Sequence, residues 1–167
     1  MSDDTAEPAE KIDRAPPIAF FLSAGSFLQT AILAHEALAA KTLKLRFEMP
    51  VYYLYSHAIE LTLKAFLRSR GLTAYGWARR PWSHDLLKLW DGCFERGFTL
   101  DLHTRLTTGA VVDLLAPYSA TYEFRYFQVG AKTLPTLEVV RAAAEALQAA
   151  IKPIAEATVA GPIPDRV

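Results

Sequence analysis

The chain of 167 residues is poor in cysteine, with Cys93 alone. One thiol excludes an internal disulfide and any zinc site built from several thiolates. It fits a reducing compartment, and the cytoplasm is the expected location. Net charge is also missing, since 18 basic and 18 acidic side chains cancel. No uncharged apolar run of the roughly 18 residues that a membrane span needs is expected. The acidic start, Met-Ser-Asp-Asp, is unlike a secretory signal. Internal repeats are absent. What remains is ordinary globular composition, 51% hydrophobic and 22% charged, in a chain long enough for one domain with its own core.

The cancelling charges are unevenly placed. Residues 1–17 carry five acids against two bases, together with Pro8, Pro16 and Pro17, and no apolar periodicity. They read as a disordered acidic tail. A second tail is expected over 158–167, ending "AGPIPDRV". Between Glu60 and Lys88 there are six bases against two acids, a local excess that attracts phosphates.

Between the tails, residues 18–157 read as one all-α domain, an antiparallel bundle of four to five helices. The first spans Phe20 to Phe47, with Leu28, Ile32, Leu38 and Leu45 at helical spacing, and Pro50 ends it or kinks the chain. The second, "VYYLYSHAIELTLKAFLRSRG", stops at Gly71, which supplies a left-handed position after the last turn. A third runs from about His84 to Arg96 and closes on Gly97. A fourth runs from about Asp101 to Leu115, cut by Pro117. "YSATYEFRYFQVGAK" lacks a helical stripe and is expected to be irregular. The last helix, about Leu134 to Ala157, presents Leu137, Val140, Ala144, Leu147 and Ile151 on one face.

The stretch "RRPWSHDLLKLW", residues 79–90, concentrates the chemistry. His84-Asp85 is the core of a metal phosphohydrolase site if His57 and either Asp101 or Asp113 complete it. The same residues start a helix: Ser83 as N-cap, Asp85 in the first turn, and Trp82 packed on Leu87 as a staple. The helix-start reading accounts for more residues, so no metal is expected. Arg79, five positions before His84, offers a phosphate-holding cation beside an imidazole base, the pairing some ribonucleases use. Pro81 between them keeps the two off one helix face. Glu60 and Lys64, four apart on the second helix, form an ion pair, in partial burial because that helix is apolar nearly all round. Arg125, within "TYEFRYF", either stacks bases among its aromatic neighbours or anchors the segment to a carboxylate such as Glu60. His35 and His57 are expected to be packed, His103 has no matched partner, and mid-helix Cys93 lacks a histidine to activate it.

"HAIELTLKAFLRSRG" on one helix, "SHDLLKLW" opening the next and "YEFRYF" before the last stand in an order that resembles the HEPN (higher eukaryotes and prokaryotes nucleotide-binding) superfamily over about residues 20–157. The resemblance implies a compact helical domain, frequently a homodimer, of the kind found in bacterial defence or toxin–antitoxin systems. Many members are metal-independent endoribonucleases with an Arg-x(4–6)-His motif late in the bundle. Here Arg105, Arg125 and Arg141 stand late in the chain, and no histidine follows them. The resemblance therefore implies a nucleotide- or RNA-binding or protein-interaction module, without a cofactor or a membrane. Lys64, Arg79, Arg80 and Arg125 are its phosphate candidates, with His84 as a hydrogen-bonding partner. The alternative is an endoribonuclease using Arg79 or Arg125 with His84. The implied partners are a second copy, RNA or nucleotide, and a protein such as a nucleotidyltransferase.

Overall fold

A computed structural model describes residues 15–73, 84–121, 123–124 and 132–159. It contains five helices, and no strand is present among the described residues. They are α1 Pro17–Ala39, α2 Met49–Ser69, α3 Leu86–Glu95, α4 Leu102–Ala120 and α5 Leu137–Ala157. α1 packs on α2 and α5, α2 also meets α3 and α5, and α4 spans α3 and α5.

α1 begins on Pro17, one residue inside the segment assigned to the tail. Proline suits this first position, where a missing N–H costs no intrahelical bond. Phe21, Ala24, Leu28, Ala31 and His35 recur every three or four residues and are buried. The helix stops at Ala39 and does not reach the expected Phe47. Lys41 N–H bonds Leu38 O and Thr42 N–H bonds Ala37 O, both at 3.0 Å, which closes a Schellman motif. Beyond it, residues 44–48 are exposed, so no burial favours further turns, and Leu45 lies off the helix at 38% exposure. By length and composition α1 is also apolar enough to cross a membrane, contrary to the expectation from sequence. Ser23, Ser26, Gln29 and Thr30 interrupt the apolar run without adding charge.

Lys41 occupies the left-handed position of that motif, with φ 59°. The same position is taken by Gly71 after α2 and Gly97 after α3, both at φ 82°. A side chain crowds the backbone there. Lys41→Gly is expected to stabilise the fold by roughly 1 kcal/mol, visible as a higher urea midpoint.

Pro50 lies in the first turn of α2, so it opens that helix and does not end its predecessor. α2 is the central helix: Tyr55, Ala58, Ile59, Leu63, Phe66 and Leu67 are each no more than 1% exposed. α3 begins at Leu86, two residues later than expected, and Asp85 is its N-cap, with Oδ1 accepting from Lys88 N–H at 3.2 Å. Ser83 and Trp82, expected as cap and staple, lie outside the described residues, and Leu87 is 39% exposed. Residue 84 is tied down by tertiary contacts, including Ser119 Oγ donating to His84 O at 3.2 Å, which places it before the helix.

α4 starts on its Asp101 cap and runs through Pro117 to Ala120. The lost N–H at 117 frees the Asp113 carbonyl. Both residues are exposed, so water can satisfy that carbonyl and the helix continues. The stripe Leu137, Val140, Ala144, Leu147 and Ile151 of α5 is buried as read. The antiparallel expectation needs correction at α5. α1 and α2 are antiparallel, with Arg68 bonding Ala15 O and His35 meeting Tyr55. α2 and α5 run in one direction, since Tyr52 reaches Pro135 while Gln148 reaches Thr62. Short loops force antiparallel neighbours only for helices consecutive in sequence, and these two are not.

Candidate functional site

The polar centre of the bundle is built on α2. Glu60 is 3% and Lys64 7% exposed, and the one-turn spacing brings Lys64 Nζ to 2.6 Å from Glu60 Oε1. His84, immediately before the α3 cap, places Nδ1 3.2 Å from the same oxygen. His57, one turn earlier on α2, has Nδ1 3.7 Å from Oε2, an electrostatic contact too long for a hydrogen bond. Burial raises the Glu60 carboxyl, but His57, His84 and Lys64 outweigh it and hold the group far below the usual carboxylate range. For His84 to donate to a carboxylate, Nδ1 must carry a proton.

The His57 ring lies between the edge of Phe27, at 4.5 Å, and the stacked face of Tyr53, at 5.6 Å. Its Nδ1 is buried without a hydrogen-bond partner among the described residues. A crevice bounded by Tyr53, His57, Glu60, Tyr118, Ser119 and Phe124 opens beside it. The crevice has room for about one water molecule, so it is too small for a nucleotide.

Of the candidates read from sequence, Lys64 is buried, at 7% exposure, and bonds Glu60. Arg79, Arg80 and Arg125 lie outside the described residues, as does the anchor suggested between Arg125 and Glu60. The outer places of the phosphohydrolase reading do not assemble. Asp85 and Asp101 cap α3 and α4, and Asp113 is exposed on α4. Among the described residues no three histidine, cysteine or carboxylate side chains are grouped to hold a metal ion.

Cys93 is fully buried with Sγ 3.6 Å from Leu63 O, and burial pushes its thiol up, away from the reactive thiolate. His35 bonds the Tyr55 hydroxyl at 3.1 Å and meets Glu138 at 3.4 Å. Burial pushes that hydroxyl up to about 12. His103 borders an open groove of about 430 Å³ between α4 and α5. Among the described residues the groove's other borders include Thr107, Glu138, Val139, Ala142 and Ala146, and no lysine or arginine.

Two features escaped the sequence reading. The first is the convergence of His57 and His84 on Glu60. His57 and Glu60 were legible as an i, i+3 pair, but only the packing of α3 on α2 brings His84 there. The second is a cationic segment over residues 41–46, which the sequence reading placed inside α1. The described residues thus define a bundle of five helices with a buried Glu–Lys–His network. Compared with known proteins, the chain matches no protein-family model, no curated protein and no solved structure.

Proposed function

We propose that the chain is a HEPN-like helical module that binds RNA or nucleotide through its phosphates without cleaving it, serving a bacterial defence or toxin–antitoxin type system. The observation that carries the non-cleaving part is the engagement of His84. Its Nδ1 meets Glu60 at 3.2 Å, on the oxygen that already takes Lys64 at 2.6 Å. The imidazole thereby acts as a strut between α2 and the start of α3. The binding part rests on the family resemblance and on exposed cations. A second copy is the expected partner, supported by Leu102 and Leu106, which stand 72% and 64% exposed one turn apart on α4.

One observation favours the endoribonuclease reading. A carboxylate on one ring nitrogen is also how a histidine base is oriented, and His84 keeps 30% of its side chain exposed. Incubating the full chain with mixed RNA in EDTA separates the two. Retarded but intact RNA is the expected result. Cleavage that survives chelation and disappears in His84→Ala would establish the endoribonuclease instead.

A further inference from the structure

The connection between α1 and α2 holds Lys41, Lys44 and Arg46 within six residues, all exposed. Among the described residues none of the three has a carboxylate within ion-pair distance. Most other described cations are engaged within the protein. Lys64 meets Glu60, Lys88 meets Asp85, Arg141 meets Glu36 and Glu145, and Arg68 bonds the carbonyls of Ala15 and Leu72. Arg70 and Arg105 stand singly, each over an aromatic ring.

The same segment exposes Leu45 and Phe47, at 38% and 53%, and the Arg46 guanidinium lies over the Phe47 ring at 5.8 Å. Lys41 also keeps a left-handed backbone where two sister helix ends use glycine. Clustered like charges, an exposed aromatic ring and a crowded backbone each oppose stability in the isolated chain. One partner turns them to use: a strand whose phosphates meet the cations and whose bases stack on the ring and guanidinium plane.

We infer that residues 41–47 are the contact surface for single-stranded RNA, with Lys41, Lys44 and Arg46 on phosphates and Phe47 under a base. The inference rests on the RNA-binding reading above and gives it a location that the sequence did not suggest. An anionic lipid surface would satisfy the cations, but one leucine and one phenylalanine bury little apolar area in it.

Fluorescence anisotropy with a labelled mixed-sequence single-stranded RNA, across a salt series, tests this on the full chain. The triple variant Lys41→Ala, Lys44→Ala, Arg46→Ala is expected to bind at least tenfold more weakly. Its slope of log affinity against log salt should be shallower by about 2, from roughly 0.7 per phosphate contact on a single strand. Phe47→Ala should lose about tenfold, within the range for base stacking. Lys41→Gly should bind more weakly although it melts higher, which separates binding from folding. Lys152→Ala, a cation on α5, should bind as the native chain does. If the native chain binds RNA and the triple variant matches it in affinity and slope, the location is wrong and the RNA-binding reading stands. If the native chain binds no RNA, both fall. Co-sedimentation with phosphatidylserine vesicles, lost in the triple variant while RNA is not bound, would assign the segment to lipid instead.

Discussion

Glu60→Ala is expected to cost about 3–5 kcal/mol of folding stability, the range for leaving one partner of a buried ion pair without the other. The Lys64 ammonium would remain in the centre of α2, 7% exposed, with its 2.6 Å carboxylate partner removed. His84 would lose its hold on α2 at the same time, loosening the start of α3. Replacing both members, Glu60→Met with Lys64→Met, should cost far less, because both buried charges go together and similar volume is kept. Urea unfolding of the two variants checks this. A loss below about 1 kcal/mol in Glu60→Ala would mean that the pair is solvated in solution and holds nothing together.

Stability should also fall in acid through the same carboxyl group. Its folded value lies below the unfolded one of about 4.3, so the unfolded state takes up the proton first as pH drops. The stability that the Glu60 network contributes is then fully present above about pH 5 and is lost progressively at lower pH. The slope reaches up to about 1.4 kcal/mol per pH unit for one proton. Glu60→Gln should remove that part of the dependence while leaving the rest. Asp101, Glu123 and Glu138 are also lowered, the first and last exposed and Glu123 half-buried against Lys132, and they titrate in both proteins. The difference between native and variant urea midpoints from pH 5 to pH 2.5 therefore isolates the buried group. Identical profiles would show that folding does not shift the carboxyl, and a difference of opposite sign that it is neutral in the folded core.

Helix positions were legible wherever local chemistry decides them. Gly71 and Gly97 end α2 and α3 because the left-handed turn after a helix favours a residue without Cβ. The α5 stripe was legible because only one face of that helix meets the core. The end of α1 was not. Its stop uses a lysine where the pattern leads one to expect glycine, and the apolar residues beyond it, Leu45 and Phe47, resemble a continuing stripe but are exposed. Ser83 was read as the cap of α3 with Asp85 in its first turn, but Asp85 is the cap, and contacts from Glu60 and Ser119 to residue 84 set the start of the helix there.

By itself the sequence determined that the chain is helical, which stretches carry the helices though not where α1 and α4 end, and that Glu60 and Lys64 lie one turn apart on one of them. These follow from spacing along a single helix, which packing does not alter. Only the tertiary structure decided that His84 joins that pair, that α5 runs alongside α2 in the same direction, and that among the described residues three cations of the α1–α2 connection have no carboxylate partner. Each depends on the approach of residues distant in sequence, and a one-dimensional pattern carries no distance between them.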